Sequence, residues 1–200
     1  MRLSRRALMI TATAGVVAHA LPALAMSRDE AIRYVEATVE EVRKVLTKAA
    51  GGPVSASDLR RVMVERSNMA QIARFCAGRS WRDMSDDQQK RYVDAFSHYI
   101  SVTYARRFND FSGTPTITIG RTTDAGRKGY LVESPIQMPD GKRYLVEWLV
   151  SDRGGAVEVV DLVIERVSLA ATQRDEIGAM LDKRGGDVDA LIKALNETKL

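Results

Sequence analysis

Few side chains in this 200-residue sequence could perform chemistry. The two histidines are His19, in an apolar N-terminal run, and His98, beside the apolar stripe of a predicted helix; Cys76 is the single cysteine. The sequence contains no G-x-S-x-G, H-E-x-x-H or paired C-x-x-C motif, and no glycine loop suited to a phosphate. A histidine on the side of a helix is more often hydrogen-bonded than catalytic. We therefore expect a protein that is not an enzyme and holds no metal or cofactor.

The first part of the sequence has the features of an export leader. Three arginines within the first six residues precede an apolar run, and residues 23–25, Ala-Leu-Ala, fit a small-x-small cleavage site. The pattern predicts a signal peptide at 1–25 and a single domain at 26–200. Arg5 and Arg6 also suit a twin-arginine signal, and an ordinary Sec leader remains open. A second possible cleavage site, Ala-His-Ala, lies a few residues upstream.

Removing this leader changes the charge of the chain. The whole sequence has 30 basic and 26 acidic residues, and all three leader charges are arginines, so 27 basic residues remain and +4 becomes +1. A nucleic-acid binder needs a clustered basic excess, which this domain lacks. Cys76 has no partner for an internal disulfide, so we expect it to be a small buried residue on a helix face.

The rest of the chain is organised around a long amphipathic stretch, residues 78–113. Ser85 is a predicted N-cap, and Gln88 three residues later can complete a capping box. After this start, apolar residues recur with the three-and-four spacing of one helical face. That face comprises Tyr92, Phe96, Tyr99, Ile100, Tyr104, Phe108 and Phe111.

Shorter helices flank this stretch. The spacing of apolar residues predicts helices at 29–49, from Ser55 or Ser57, and at 68–77. Two more are predicted to close the chain, the first with Ile177 and Leu181 on its inner face.

After residue 113 the apolar period changes to two, which predicts strands. Ile117 and Ile119 begin the pattern, and runs at 130–138, 142–151 and 157–164 follow, separated by Asp-Gly and Gly-Gly turns. Because successive side chains of a strand point to opposite faces, acidic residues on the water side define the inner face. The predicted inner set is Val132, Ser134, Ile136, Val146, Trp148, Val150, Val160, Leu162 and Ile164. The order of elements predicts an α+β fold, an antiparallel sheet of about four strands with helices on one face.

Two blocks of this sequence resemble the MlaC family, the periplasmic lipid-binding components of MCE-type phospholipid-transport ABC systems. The first block comprises Met69-Ala70, Gly78-Arg79-x-Trp81-Arg82, Ser85-x-x-Gln88, Phe96, Thr103-Tyr104 and Ser112-Gly113. The second comprises Asp161 to Leu169, Arg174 and Leu191-Ile192-x-x-Leu195. No single motif is specific to the family, but the joint order and spacing of these motifs are specific to it. The resemblance implies a cone-shaped domain whose curved sheet and helices enclose an apolar cleft.

The resemblance also implies a role for particular residues. Acyl chains would occupy a cleft between the inner face of the sheet and the long helix, with the head group near the mouth. The implied lipid-binding residues are Phe96, Tyr99, Ile100, Tyr104, Phe108, Val132, Ile136, Val146, Trp148, Leu162, Ile164, Ile177 and Leu181. Arg79, Arg82 and Arg174 match basic positions of the pattern and are head-group candidates. Periodicity alone favours an ordinary close-packed core for these residues, and it is the family resemblance that favours a cleft.

The implied function is that of a monomeric periplasmic carrier. It would pass phospholipid between an inner-membrane transporter complex and an outer-membrane lipoprotein or porin partner. The sequence departs from the family where Val157 and Val160 replace Trp and Tyr, Arg166 replaces Gly and Gln173 replaces Tyr. These departures leave the ligand open to a hopanoid or another isoprenoid lipid. Two further alternatives are an exported enzyme on the same scaffold and an interaction module with a solid core.

Overall fold

The computed structural model describes residues 26–49, 52–110 and 114–200. Over these residues the chain forms six helices and six strands. The helices are α1 (Arg28–Lys48), α2 (Ala56–Arg66), α3 (Met69–Ala77), α4 (Asp86–Asn109), α5 (Leu169–Asp182) and α6 (Val188–Asn196). The strands are β1 (Thr116–Ile117), β2 (Thr122–Asp124), β3 (Tyr130–Gln137), β4 (Arg143–Ser151), β5 (Glu158–Ile164) and β6 (Val167–Ser168). The predicted leader, Phe111 and the predicted helix stop at 112–113 lie outside the described residues.

Local signals in the sequence account for where the helices begin. The predicted capping box of α4 is confirmed: Gln88 N donates to Ser85 Oγ at 3.2 Å and Ser85 N donates to Gln88 Oε1 at 3.1 Å. Ser27 caps α1, and of the two predicted candidates it is Ser55 that caps α2. Each cap supplies a partner to a backbone N–H that has none within the helix.

The α+β fold is confirmed, with more strands than predicted. All strand pairs in the sheet are antiparallel, in the order β1-β3-β4-β5-β6, and β2 also pairs with β3. Three of the predicted runs correspond to β3, β4 and β5. The sheet has six strands where about four were predicted. The extra strands β2 and β6 span only three and two residues, too short for alternation to show in the sequence.

One face of the sheet packs against α1. Val132, Val146, Trp148 and Val150 form a buried cluster with Ala31, Val35 and Val39 of that helix; Ile136, Leu162 and Ile164 pack around it. Within this cluster the indole Nε1 of Trp148 donates to Ser134 Oγ at 3.0 Å. The predicted inner face was therefore right for these residues, but its predicted neighbour, the long helix, was wrong. Alternation shows which residues share a face, whereas it does not show which helix covers that face.

A break in the strand register changes one member of that face. The pairing of β4 with β5 shifts between Leu149 and Val150, so that Val150 pairs with Val159. Val159 is 3% exposed and belongs to the α1 cluster, in the place predicted for Val160. The prediction for Val160 was wrong because one extra residue in a strand reverses the alternation beyond it.

The long helix α4 packs among other helices instead. Its Tyr92, Phe96, Tyr99 and Ile100 form a second buried cluster with residues of α3, α5 and α6, among them Ala73, Cys76, Ile177, Leu181, Leu191 and Leu195. Tyr104 and Phe108 contact a third cluster, in which the second half of α1 packs on α2. The apolar face predicted for α4 is confirmed, and helices bury it.

The second face of the sheet carries a different apolar set. Leu131 pairs with Leu149, and Pro135 with Leu145, on the side opposite Val132 and Trp148. These leucines and Val163 are half-buried and are interleaved with Glu133, Glu147 and Asp161. The helices α3 and α5 pack against β5, so helices also approach this face. Because of these acidic residues, the sequence predicted that this face of the sheet lies towards water.

Neighbouring residues of β3 test the assignment of the two faces. We expect Val132→Ala to lower the free energy of unfolding by about 2–3 kcal/mol, because Val132 is fully buried and its truncation leaves a cavity. Leu131→Ala removes more atoms and yet should cost less, since the half-buried Leu131 has fewer packed neighbours. Urea denaturation of the lipid-free variants measures both values. A larger loss for Leu131→Ala would contradict the assignment.

Candidate functional site

Four arginines line a groove where α3 turns towards α4. The groove has a volume of about 720 Å³. Its lining comprises Ala70, Gln71, Arg74, Phe75, Gly78, Arg79, Trp81, Arg82 and Arg174. We call it the basic groove.

A glycine shapes the basic groove. Gly78 ends α3 with φ of 62° and begins the 3₁₀ turn Gly78–Arg82, which presents Arg79, Trp81 and Arg82 to the groove. A side chain is strained at that φ, and a Cβ there would lie 3.3 Å from Nη2 of Arg174. Glycine thus allows the backbone to turn while the Arg174 guanidinium passes close by.

Arg174 connects α5 to the end of α3. Its Nη1 donates to the backbone oxygen of Phe75 at 3.1 Å, and its guanidinium carbon lies 4.9 Å from the centre of the Phe75 ring. The second contact is a cation–π interaction, which forms over an aromatic face within about 6 Å. Both contacts fix the position of Phe75, whose side chain is 44% exposed.

The electrostatic character of the basic groove follows from its arginines. Arg74, Arg79, Arg82 and Arg174 are exposed, and no carboxylate of the described residues forms an ion pair with any of them. Of the fourteen described arginines that line neither groove, six do have such a partner, as in the pairs Arg60–Asp94 and Arg66–Glu41. Guanidinium groups bind planar anions through paired N–H donors. The groove is therefore suited to a carboxylate or a phosphate.

A second groove continues from the first between the helices and the sheet. Its volume is about 290 Å³. Its lining comprises Gln71, Ile72, Phe75, Lys128, Leu149, Ser151, Arg153, Val160, Asp161, Ser168 and Ala170. We call it the seam groove, because it lies between α3 and the second face of the sheet. Phe75 and Gln71 line both grooves, so the exposed Phe75 ring stands where they meet.

The acidic residue of the seam groove has a structural role. Asp161 accepts from Ser168 Oγ at 2.6 Å and from the backbone N of Ala170 at 3.0 Å. Ser168 is also the N-cap of α5, accepting from Ala171 N. Both Asp161 oxygens thus have partners at the start of a helix, where a negative charge is stabilised.

Side chains with nucleophilic or basic potential are also engaged structurally. Burial raises the pKa of the Cys76 thiol to about 12, and its Sγ lies 3.6 Å from the backbone oxygen of Ala170. The Nε2 of His98 lies 3.0 Å from the backbone oxygen of Thr198. Neither residue lines a groove. The thiol is un-ionised at neutral pH, so Cys76 is a buried apolar residue as predicted.

Polar atoms without partners lie buried between α4 and α5. The Gln173 side chain is 3% exposed, and neither its Nε2 nor its Oε1 forms a hydrogen bond. The Tyr104 hydroxyl lies next to that amide and, with Thr103 Oγ1, also lacks a hydrogen bond of ordinary length and angle. Each such group costs about 1–3 kcal/mol when buried. We call these three residues the polar cluster.

The structure brings together only some of the predicted site residues. Arg79, Arg82 and Arg174 meet in the basic groove. The predicted lipid-binding residues are divided between clusters: Phe96, Tyr99, Ile100, Ile177 and Leu181 lie among helices, with Tyr104 and Phe108 at their edge. Val132, Ile136, Val146, Trp148, Leu162 and Ile164 lie against α1. The structure does not bring these two sets to a common cleft.

Sequence reasoning missed several residues that line the grooves. Arg74 and Phe75 lie off the apolar stripe of α3, so nothing in the spacing marks them. Leu149 lies on the second face of the sheet, and Val160 reaches the seam groove because of the shift in register.

The described residues contain neither a metal-ligand cluster nor a membrane-spanning helix. No group of three or more His, Cys, Asp or Glu side chains there could hold a metal ion. None of the helices described is both long and apolar enough to cross a bilayer.

Comparisons with known proteins agree with this fold. The family model described as MlaC protein matches residues 32–197. A solved structure of the phospholipid-binding protein from Ralstonia solanacearum, in complex with a phospholipid, is similar with a TM-score of 0.68 and 21% sequence identity; the match covers 84% of this chain and 95% of that chain. A search of curated proteins found no match. At this identity the structural likeness shows a shared fold.

Proposed function

Because the chain belongs to the MlaC family, we propose that it is a non-enzymatic periplasmic carrier that binds one phospholipid. The observation that carries the proposal is the junction of the two grooves. Arginines without carboxylate partners line one groove, and the other combines apolar residues of the sheet and α3 with the charged residues Lys128, Arg153 and Asp161. That combination suits a lipid with an anionic phosphate next to its acyl chains. A related protein with this fold was solved with a phospholipid bound.

The bound lipid would lie across the junction. Its phosphate would contact Arg79, Arg82 and Arg174, and its acyl chains would pass Phe75 into the seam groove, along Leu149 and Val160. The seam groove of about 290 Å³ falls just below the range of small-molecule pockets, which span about 300–1,000 Å³. Two acyl chains therefore require the helices to move away from the second face of the sheet. The half-buried leucines of that face supply the apolar wall.

Free-energy considerations favour a carrier of this design. A two-chain lipid in water exposes on the order of thirty methylenes at about 0.8 kcal/mol each, a barrier above about 20 kcal/mol. An apolar groove removes most of that barrier, while the net transfer free energy stays small because both environments are apolar. Selectivity would then come from the phosphate, so the arginines favour a phospholipid over an isoprenoid lipid without an anionic group.

We further propose that the carrier acts as a monomer between two membrane partners. One would be an inner-membrane ABC transporter complex and the other an outer-membrane lipoprotein or porin. Loading and release at membrane partners require an open site, and the basic groove is open to solvent at its exposed arginines.

Charge reversal in the basic groove tests lipid binding. We expect Arg79→Glu combined with Arg82→Glu to weaken binding of phosphatidylglycerol at least about tenfold, since each charge-assisted hydrogen bond contributes about 1.5–3 kcal/mol. Arg174 is avoided because it also holds Phe75. Binding is measured by native mass spectrometry after incubation with vesicles.

A second double variant controls for net charge. Arg28→Glu with Arg33→Glu makes the same change on exposed positions of α1, outside both grooves. It should bind lipid like the original protein. Equal losses in both double variants would show that overall charge, and not the groove, governs binding.

The proposed periplasmic location requires that residues 1–25 act as an export leader. Met26 is 6% exposed in the α1 cluster, and its backbone N donates to Asp152 Oδ2 at 2.7 Å. Cleavage before Met26 would place the new α-ammonium group at this carboxylate, which strengthens the contact.

N-terminal sequencing of the exported protein tests the leader. We expect the mature chain to begin at Met26. Ala25→Leu should block cleavage because the site requires small residues, whereas Leu24→Val should leave it intact. A periplasmic protein that still begins with Met1 would contradict the proposal.

His98 tests the absence of catalysis. We expect His98→Ala to keep lipid transfer between vesicles within about twofold, and to lower the free energy of unfolding by about 1 kcal/mol through loss of the contact with Thr198. Removal of a general acid or base costs about 10²–10⁴ in rate. A loss of that size in a variant of normal stability would instead support the enzyme alternative.

A further inference from the structure

The helix α3 has an exposed face between the two grooves. Gln71 and Phe75 on this face line both grooves, and Arg74 beside them is exposed. Phe75 is the single aromatic residue among the exposed large apolar side chains of the described chain. Exposing such a ring to water is unfavourable, so its position calls for an explanation. We call Gln71, Arg74 and Phe75 the α3 ridge.

Basic residues surround Phe75 on both sides of α3. Of the charged residues that line the two grooves, six are basic and one, Asp161, is acidic. The six, all exposed, are Arg74, Arg79, Arg82, Lys128, Arg153 and Arg174. No carboxylate of the described residues forms an ion pair with any of them. Both oxygens of Asp161 are held at the start of α5, so the surface around Phe75 is positive.

The fold concentrates this charge on one side of the molecule. The charged residues lining the two grooves sum to +5, whereas residues 26–200 together have a net charge of +1, so the rest of the domain carries −4. The six residues come from α3, the 3₁₀ turn after it, α5, the turn before β3 and the turn after β4. The sequence indicated no clustered basic excess, because net charge does not show which residues the fold brings together.

The chemistry of this surface matches that of an anionic bilayer. A bilayer surface has anionic phosphates directly above an apolar layer, and surfaces that combine basic residues with an exposed aromatic ring bind there. We propose that the α3 ridge and the six basic residues dock the protein directly on an anionic bilayer, with the Phe75 ring in the interface. The negative remainder of the domain is repelled by the same surface, which orients the ridge towards the bilayer. This docking goes beyond the proposed function, since it requires no protein partner.

Co-sedimentation with vesicles tests the docking. We expect the protein to bind vesicles of equal parts phosphatidylglycerol and phosphatidylcholine at least about tenfold more tightly than phosphatidylcholine vesicles at low salt. This preference should disappear at about 1 M salt, where charges are screened within about 3 Å. Lys128→Glu with Arg153→Glu should weaken binding to the anionic vesicles at least about tenfold, because each basic residue near such a surface contributes about fivefold. The three arginines proposed for the lipid phosphate are left unchanged in this variant.

The contribution of the ring is tested separately. Phe75→Ala should weaken binding to the anionic vesicles at least about fivefold, because the apolar surface that enters the interface is lost. Val64→Ala is its matched control, since Val64 is 50% exposed on α2 and lines neither groove. Arg28→Glu with Arg33→Glu is the charge control, on α1 at the opposite face of the sheet. Both controls should bind vesicles like the original protein.

Several results would overturn the inference. These are equal binding to both kinds of vesicle, no binding to either, and equal losses in the two charge-reversed double variants. Binding to poly-glutamate without binding to vesicles, lost in the Lys128→Glu and Arg153→Glu variant, would instead assign the surface to an acidic protein. Native mass spectrometry of the same samples keeps the proposed function separate. Vesicle binding with no lipid on the recovered protein would support the docking and contradict the carrier, whereas lipid loading without vesicle binding would do the reverse.

Discussion

The packing of α1 against one face of the sheet is the interaction on which the rest of the structure depends. Val35 and Val39 bury Val132, Val146 and Trp148, and this gives the sheet one closed face. The strands also have apolar residues on the other face, where Leu131 pairs with Leu149. Because α1 occupies the first face, the second is the face that we propose for the ligand. The closed core and the proposed ligand-facing wall are thus two sides of one sheet.

The two grooves meet at a single aromatic ring. Phe75 is held by Arg174 through a hydrogen bond to its backbone and a cation–π contact with its ring. The same arginine lines the groove proposed for the phosphate, so an anion that engages Arg174 would compete with its contacts to Phe75. Lipid binding and displacement of the ring would in this way be coupled. This coupling would arise because the Arg174 guanidinium has a limited number of N–H donors for the anion and for Phe75.

Local rules predicted much of this fold from the sequence, and long-range packing explains what they missed. The capping box at Ser85 and Gln88 depends on neighbouring residues, and alternation around Glu133 and Glu147 correctly grouped the strand residues. The register shift after Leu149 places Val159 in the core, and no pattern in the sequence predicts that shift. Which helix covers which face is decided by tertiary packing. Arg79, Arg82 and Arg174 were recognised by family resemblance, whereas Arg74 and Phe75 had no signal in the sequence.

The central claim is that lipid lies at the grooves and on the second face of the sheet, away from the α1 cluster. The two tryptophans report on these two places: Trp81 lines the basic groove, and Trp148 is buried against α1. Phosphatidylglycerol brominated near the ester end of its acyl chains should quench Trp81 in the Trp148→Phe variant. It should leave Trp148 fluorescence in the Trp81→Phe variant nearly unchanged. Stronger quenching of Trp148 would contradict the account and place the lipid on the α1 side.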